Sequence, residues 1–218
     1  MQIIFAELTP EYKIENDALM KLLPDERRAE LARFKFVIDS KLSMYAELLV
    51  RYQACRILEL NNEDIVFEKG ENGKPYIQNN PKFQFNISHT RNAIAVAFSD
   101  GEIGVDIERL SSADFKIAKR FFAPCEQDYI FSSEYPERAF YEVWTKKEAY
   151  IKYIGDGLTI PLPSFDVLDV KTTAIFRTVE VGDYIMSVCY KELIMEEPYI
   201  INITERELQI LFSEIQTV

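Results

Sequence analysis

The sequence predicts an α+β protein of two similar halves, and three observations support this fold class. The order strand, helices, strands occurs in the first half of the chain and begins again near Gly104. Apolar residues recur at helical spacing through residues 42–60, as expected of a core helix. Turn-forming Gly, Pro and Asn residues separate apolar runs of strand length. We therefore expect an N-terminal half at residues 1–103 and a C-terminal half at residues 104–218.

The first half opens with a predicted strand and continues with two helices. An apolar run at residues 2–7 predicts the strand. In residues 24–36, acidic side chains fill the first turn of the first helix, which suits the helix dipole. Asp39 or Ser40 can cap the second helix, which continues to Leu60.

Strands complete the first half and cross into the second. Residues 71–75 combine Gly and Pro in a turn pattern. Asp100-Gly101 predicts a hairpin between the last two of these strands. The predicted strands are residues 65–68, 83–87, 94–98 and 103–107.

Helices and then strands make up the rest of the second half. Ser111 and Ser112 open a helical region, and Pro124 and Pro136 each suit the first position of a helix. The longest of these helices is expected at residues 137–154. The predicted strands that follow are residues 165–170, 174–179, 184–190 and 199–203.

The composition argues against several classes of protein. The formal net charge is −11, from 25 basic and 36 acidic residues, which disfavours nonspecific binding to nucleic acid or to an anionic membrane. No apolar stretch is long enough to span a bilayer, and the first residues lack the pattern of a secretory leader. Cys55, Cys125 and Cys189 are scattered without metal-ligand spacing, as expected of reduced thiols. We therefore expect a cytoplasmic protein.

Two acids stand on a segment that otherwise has the pattern of a buried strand. Asp106 and Glu108 are two residues apart and point to the same side, while Val105 and Ile107 point to the other. Like charges at this spacing repel unless one takes a proton or a cation lies between them. All-oxygen ligands favour Mg²⁺ or Mn²⁺. The alternative is an exposed strand edge with two solvated acids.

Further polar residues lie on the long helix and at the end of the strand at residues 83–87. Glu148 and Lys152 are four residues apart and share a helix face with Trp144. An exposed ion pair is the ordinary meaning of that spacing. His89, the one histidine of the chain, stands beside two hydroxyls and an amide, although a lone histidine is more often structural than catalytic.

Four motifs follow one another along most of the chain. They are Gly73-Lys74-Pro75, Asn86-Ile87-Ser88-His89, Gly104-Val105-Asp106-Ile107-Glu108 and Trp144-Thr145-Lys146-Lys147-Glu148-Ala149, with Lys152 after the last. Their order resembles the 4′-phosphopantetheinyl transferases of the long, pseudo-dimeric type, which activate peptide synthetases and polyketide or fatty-acid synthases. Each motif is weak alone, and together they are highly specific. The resemblance implies two α+β halves in one monomer, with coenzyme A bound in the cleft between them.

The resemblance also implies catalytic and metal-binding roles. The implied catalytic residues are Glu148 and Lys152, the latter beside the scissile pyrophosphate. The implied Mg²⁺ ligands are Asp106, Glu108 and Glu148, with Mn²⁺ as the alternative metal. Three carboxylates that face a pyrophosphate need a divalent cation. Glu148 could bind metal, take the serine proton directly or act through water, and Glu126 is a further acid for which a structural role is expected.

Coenzyme A is the implied co-substrate. The implied phosphate contacts are Lys74, Ser88 and His89, which supply a point charge, a hydroxyl and ring N–H donors. For the 3′-phosphate of coenzyme A, the early helices offer Arg27, Arg28 and Lys41. Glu30 occupies a position where a second cation is expected.

The implied reaction is in-line attack of a carrier-protein serine on the β-phosphate of coenzyme A, with release of adenosine 3′,5′-bisphosphate. Residues 155–186 lie where this family meets the carrier. Docking residues are expected to be Phe121, Phe122 and Leu158 with the cations Lys116, Lys119 and Arg120. Core packing is the alternative for one of the two phenylalanines. Two other functions remain open, a metal-dependent phosphohydrolase and a silent module that binds coenzyme A or a carrier.

Overall fold

The computed structural model describes residues 1–10, 18–155, 157, 160–169, 174–191 and 198–216. These residues form nine β-strands and six α-helices, so the predicted α+β class is confirmed. The strands are β1 (Gln2–Glu7), β2 (Phe67–Lys69), β3 (Pro75–Ile77), β4 (Gln84–Thr90), β5 (Ala93–Ser99), β6 (Ile103–Arg109), β7 (Ala174–Val181), β8 (Tyr184–Lys191) and β9 (Tyr199–Asn202). The helices are α1 (Asp25–Leu31), α2 (Val37–Leu58), α3 (Phe115–Phe121), α4 (Pro124–Ser132), α5 (Pro136–Ile154) and α6 (Glu205–Ser213).

The first sheet has four strands in the order β4-β5-β1-β9. Strand β5 is antiparallel to both β4 and β1, whereas β9 is parallel to β1. Helices α2 and α6 cover one face of this sheet, where Ile4 and Val96 share a buried cluster with Leu49 and Phe212. This cluster is the larger hydrophobic core, and α2 is buried along most of its length because it lies at its centre.

The second sheet is antiparallel, with the order β6-β8-β7. It packs on the other face of the first sheet, because Ile3 and Phe5 share a buried cluster with Val105 and Ile107. The alternation of β1 therefore supplies side chains to both cores. On the outer face of the second sheet, α5 packs against β6 and β8. The result is four layers, in which helices enclose two sheets packed face to face.

Two of the predicted strand features are wrong. The hairpin across Asp100-Gly101 is absent, because β5 already has β4 and β1 on its two edges and β6 pairs with β8 instead. Residues 165–169 do not form a strand either. Their backbone bonds to side chains, since Phe165 O accepts from Lys147 Nζ and Val167 N donates to Glu126 Oε1. Residue 170, the end of that prediction, lies outside the described residues.

Several boundaries also differ from the predictions. Helix α1 ends at Leu31, and α2 starts after Phe36, so Asp39 lies in the first turn of α2 instead of capping it. Ser40 does not cap α2 because its hydroxyl donates to the carbonyl of Leu31 at 3.0 Å. Among the described residues, no helix combines the length and the apolarity that a membrane crossing requires.

Helix α6 was missed by the sequence analysis. Its signal is the capping box of Thr204 and Glu207, followed by the apolar Leu208. Strand β9 belongs to the first sheet and α6 packs on it. Residues 199–213 therefore return to the core of the N-terminal half. The division into residues 1–103 and 104–218 stays a prediction.

Candidate active site

Strands β4 and β6 belong to different sheets and meet through side chains. Asn86 Oδ1 accepts from the backbone N–H of Val105 at 2.9 Å. Ser88 Oγ accepts from the N–H of Ile107 at 3.3 Å. These two bonds satisfy the backbone N–H groups of Val105 and Ile107 on the edge of β6 that pairs with no other strand. We call this contact, formed by Asn86 and Ser88 with residues 105–107, the β4–β6 seam.

Asp106 is the acid of the seam, and it is buried, with 5% of its surface exposed. Its Oδ1 accepts from Ser88 Oγ at 2.8 Å and from Lys152 Nζ at 2.6 Å. Its Oδ2 is buried and has no hydrogen-bond partner within the described part of the chain. The pKa of Asp106 is raised, because burial outweighs the attraction of Lys152 and the hydrogen bond from Ser88. The cation that compensates this acid here is the ammonium of Lys152.

Lys152 is held by three acceptors at once. Besides Asp106, its Nζ donates to Ser88 Oγ at 3.0 Å and to Val105 O at 3.2 Å. The spacing of Glu148 and Lys152 also allowed an ion pair between these two residues. That pair is not formed among the described residues, since Lys152 pairs with Asp106. Lys152 points across the helix surface to β6 rather than along the helix to Glu148.

Lys152 reaches Asp106 because helix α5 lies very close to strand β6. A Cβ atom at Gly104 would lie 2.0 Å from the carbonyl oxygen of Ala149 and 2.4 Å from the backbone nitrogen of Tyr153. Both distances are far below van der Waals contact, so only glycine fits there. The absence of a side chain therefore lets the helix that carries Glu148 and Lys152 lie directly on the strand.

Two further acids complete the group. Glu108 Oε2 accepts from Thr90 Oγ1 at 2.9 Å. The pKa of Glu108 is raised by burial and by the charge of Asp106. The pKa of Glu148 is raised by burial and by the charges of Asp106 and Glu108. The three carboxyl groups therefore repel one another, and a proton or a cation would relieve that repulsion.

The fit of this group to a divalent metal is partial. Within the described residues, no three His, Cys, Asp or Glu side chains converge closely enough to hold a metal ion. Lys152 occupies one oxygen of Asp106, and Thr90 occupies one oxygen of Glu108. The unpartnered Asp106 Oδ2 and the mutual repulsion of the acids nevertheless suit a hard cation with oxygen ligands. The metal role of Asp106, Glu108 and Glu148 stays a prediction.

A cavity of about 620 Å³ is lined in part by His89, the residue that follows Ser88 of the seam on β4. Its lining includes Ile87 and His89 of β4, Arg27 of α1, Phe67 of β2 and Pro75 of β3. We call it the His89 cavity. Its volume suits a small-molecule ligand, and its apolar side chains offer a surface for a flat ring.

His89 stands at the junction of the cavity and the acid group. Its side chain is exposed. Its pKa is lowered, because the surrounding protein removes part of its hydration and the Lys152 ammonium lies nearby, while Asp39 and Asp106 act in the opposite direction. The neutral ring, which has one N–H donor and one acceptor, is thus favoured at neutral pH.

Comparison with known proteins identifies the family of this chain. The model of the 4′-phosphopantetheinyl transferase superfamily matches residues 102–204, and the model described as 4′-phosphopantetheinyl transferase, N-terminal, matches residues 9–100. The 4′-phosphopantetheinyl transferase Sfp of Bacillus subtilis (strain 168) is 37% identical over 155 residues, which cover 70% of this chain and 69% of Sfp. The chain belongs to the 4′-phosphopantetheinyl transferase family. The two matched models fit the two-part fold expected of a 4′-phosphopantetheinyl transferase.

Two other 4′-phosphopantetheinyl transferases match a smaller share of the chain. The protein psf-1 of Bacillus pumilus is 38% identical over 142 residues, which cover 64% of this chain and 61% of psf-1. The protein gsp of Aneurinibacillus migulanus is 40% identical over 144 residues, which cover 64% of this chain and 59% of gsp. The matched part therefore spans less than two thirds of the length of these two relatives.

Lys74 and Arg27, which the family resemblance implies as phosphate contacts, lie in surroundings that differ from each other. Lys74 Nζ donates to the carbonyls of Ile103 at 3.1 Å and Tyr153 at 3.4 Å, which ties the loop before β3 to β6 and to the end of α5. Burial lowers the pKa of Lys74. Arg27 lines the His89 cavity. The phosphate contacts expected of Lys74 and Arg27 stay predictions.

Lys41 is not among the residues that line the His89 cavity, and its role in binding coenzyme A stays a prediction. Its side chain is fully buried. Its ammonium is 2.7 Å from Glu205 Oε1 and donates to the carbonyl of Thr9 at 2.8 Å. A buried cation needs such partners, and the return of α6 to the first sheet supplies the carboxylate of Glu205.

Glu126 has the structural surroundings that the sequence analysis expected. It is completely buried and pairs with the equally buried Lys147, at 2.8 Å between Oε2 and Nζ. Its Oε2 also accepts from the N–H of Ala123, and its Oε1 from the N–H of Val167. Lys147 thus faces away from the acid group, although it lies in the same motif as Glu148.

The two phenylalanines considered for carrier docking separate clearly. Phe122 is 2% exposed and stacks on Phe140 at a ring-centroid distance of 5.5 Å, so it is a core residue. Phe121 is 36% exposed and lies under the Arg120 guanidinium. Leu158, the third expected docking residue, lies outside the described residues. Phe121 is the last residue of α3, whereas the backbone of Phe122 is already extended, so the two side chains leave the chain in different directions.

Sequence reasoning missed several residues of the site and its surroundings. It gave no role to Asn86, although its amide holds the backbone next to Asp106. It also missed the pair of Glu47 and Arg51, both of which line the His89 cavity. The spacing of four residues on α2 was the available signal.

Proposed function

We propose that this chain transfers the 4′-phosphopantetheinyl group of coenzyme A to a serine of apo acyl or peptidyl carrier proteins. The observation that supports this most directly is the contact of Lys152 with Asp106 and Ser88 beside the His89 cavity. This contact brings together the ammonium of Lys152, the hydroxyl of Ser88 and the carboxylate of Asp106, whose Oδ2 has no partner among the described residues. A pyrophosphate bound there would lie next to the acid group.

Glu148 is the proposed proton acceptor. Its carboxylate makes no hydrogen bond within the described part of the chain, so its lone pairs are available. Its raised pKa brings it closer to the working pH, which improves a carboxylate as a general base. In the proposed step, the serine Oγ forms a bond to the β-phosphorus, the serine proton passes to Glu148, and the bond from that phosphorus to the bridging oxygen breaks. The leaving group is adenosine 3′,5′-bisphosphate.

Lys152, Ser88 and His89 are the proposed phosphate contacts, with Lys74 as a further one. Lys152 would offset the negative charge that develops on the leaving oxygen, while Ser88 and His89 donate hydrogen bonds to the phosphates. The chain's own ammonium and hydroxyl are held in place before any ligand arrives. Such preorganisation is the main contribution a protein makes to phosphoryl transfer.

The donor nucleotide would occupy the His89 cavity. Mg²⁺, or Mn²⁺ in its place, would bind through Asp106, Glu108 and Glu148 and would supply the positive charge that the two phosphates need. Asp106 Oδ2 is the proposed first ligand, because it is the buried oxygen without a partner.

The carrier protein would dock on α3. Phe121 offers an exposed apolar contact, and Lys116, Lys119 and Arg120 are exposed cations in a chain of net charge −11. Carrier domains of this class are acidic, so a local basic patch would steer them despite the overall charge. We further propose that the protein acts as a cytoplasmic monomer, in keeping with its three free thiols at Cys55, Cys125 and Cys189.

One assay tests the activity directly. The protein is incubated with coenzyme A, Mg²⁺ and an apo carrier domain, and the intact mass of the carrier is recorded. A gain of one phosphopantetheinyl group at a serine is the expected result. Release of adenosine bisphosphate without a carrier would favour the phosphohydrolase, and binding of coenzyme A without turnover would favour the silent module.

The variant Asp106→Asn tests the proposed centre. It keeps the shape of the side chain and removes the charge, and we expect transfer to fall by about 100-fold or more. The matched control is Asp100→Asn, which makes the same chemical change on an exposed turn. Equal transfer rates in the two variants would refute the proposed site.

A further inference from the structure

Among the described residues that line the His89 cavity, carboxylates outnumber cations. The cationic side chains of its lining are Arg27, Arg51 and Lys69. The acidic side chains are Glu26, Glu30, Glu47, Glu63 and Glu68. A 3′-phosphate that entered this cavity would therefore find no net positive charge to attract it.

Both arginines of the cavity are already paired. Arg27 Nε donates to Glu47 Oε2 at 2.5 Å, and its Nη1 donates to Glu30 Oε2 at 2.9 Å. The remaining terminal nitrogen of Arg27 donates to Ser43 Oγ at 2.6 Å. Arg51 Nε donates to Glu47 Oε1 at 3.0 Å. Glu47 therefore bridges the two guanidinium groups, and with Glu30 it cancels their charge.

Backbone carbonyls also hold the Arg51 side chain in place. Its Nη1 donates to the carbonyls of Asn62 at 3.1 Å and Ile65 at 3.3 Å, and its guanidinium lies over the ring of Phe67. Arg51 is only 2% exposed. It is thus a structural cation, and it would have to abandon buried partners to bind a ligand phosphate.

Coenzyme A and 3′-dephospho-coenzyme A differ only in one phosphate on the ribose. We propose that this chain does not select for that 3′-phosphate and uses both donors about equally well. The proposal rests on the proposed function, because it takes the nucleotide of the donor to lie in the His89 cavity when its pyrophosphate is at Ser88 and Lys152. The cations of that cavity are neutralised by carboxylates, so the 3′-phosphate gains no net attraction there.

Calorimetric titration of the purified protein with each donor, in the presence of Mg²⁺, tests this inference. The two dissociation constants are expected to agree within about three-fold, because the carboxylates of the cavity cancel the attraction of its cations for the 3′-phosphate. The same ratio should appear in kcat/KM for transfer to an apo carrier. Binding of both donors without any transfer would count against the proposed function alone, and the ratio of dissociation constants would still decide this inference.

The variant Glu30→Lys should create the selectivity that the natural chain lacks. Glu30 is an exposed partner of Arg27, with 62% of its side chain accessible, so the exchange leaves the core intact. It removes one acid and adds one cation at the cavity. We expect the affinity for coenzyme A to rise by up to about five-fold while that for 3′-dephospho-coenzyme A stays within about two-fold.

A matched control carries the same change of net charge elsewhere. Glu134→Lys lies on the exposed turn between α4 and α5, outside the lining of the cavity. It should leave the ratio of the two affinities unchanged. A preference of the natural chain for coenzyme A of more than ten-fold, lost in Arg27→Gln, would overturn the inference, because it would show that Arg27 holds the 3′-phosphate.

Discussion

The sharpest test of the site geometry is the substitution Gly104→Ala. A Cβ atom at this position would lie 2.0 Å from the carbonyl oxygen of Ala149 and 2.4 Å from the nitrogen of Tyr153. Both are backbone atoms of α5, so no side-chain rotation can relieve the clash. The helix or the strand must move as a unit.

The size of the movement follows from these distances. Ordinary van der Waals contact begins near 3.4 Å, so α5 would have to withdraw by roughly 1.4 Å at Ala149. That shift separates Lys152 from Asp106 and moves Glu148 out of place. We expect a loss of stability of about 1–3 kcal/mol from overpacking. We expect transfer to fall by about 100-fold, because a misplacement of about 1 Å can have that effect on a preorganised site.

The measurements are the melting temperature and the initial rate of carrier modification. Gly70→Ala is the matched control, because its nearest neighbour, the carbonyl oxygen of Lys74, would lie at an ordinary 3.6 Å. The control should melt near the natural protein and stay within about three-fold of its rate. A Gly104→Ala protein with unchanged melting temperature and rate would refute the claim that close packing positions the helix.

Three other predictions concern ionisable groups. Glu148→Gln should reduce transfer by about 100-fold or more without lowering the melting temperature, because that carboxylate makes no hydrogen bond to the described residues. The pKa of Glu148 is raised, so its contribution to stability is present at acid pH and is lost as the pH rises through that raised pKa. Glu148→Gln should therefore flatten the decline of melting temperature that begins as the pH rises past about 4.5, the ordinary pKa of a glutamate. Lys147→Met should cost about 3–5 kcal/mol by leaving Glu126 buried and unpaired, whereas the double variant with Glu126→Gln should recover part of that loss.

The outcomes that would contradict these predictions are distinct. Transfer at the natural rate in Glu148→Gln would remove it from the proposed mechanism. Identical pH profiles of melting temperature in the two proteins would show that its carboxyl group is not strained by burial and neighbouring charge. Additive losses in the Lys147 and Glu126 variants, measured by chemical denaturation, would show that the two side chains do not interact.

The sequence alone determined the local features of the site. Alternation along residues 104–108 put Asp106 and Glu108 on one side, and in the structure the charge of Asp106 raises the pKa of Glu108. The spacing of α5 put Trp144 and Glu148 on one face, and both lie near Glu108. These features follow from the periods of strand and helix, which are fixed by the backbone of a few consecutive residues.

Tertiary structure alone decided which partners those side chains meet. Lys152 could pair with Glu148 on its own helix, yet it reaches Asp106 because Gly104 brings the strand within range. Lys41 has the same cationic chemistry as Arg27, but the return of α6 buries it against Glu205. Such choices depend on contacts between residues far apart in the chain, and short-range patterns carry no information about the packing that creates those contacts.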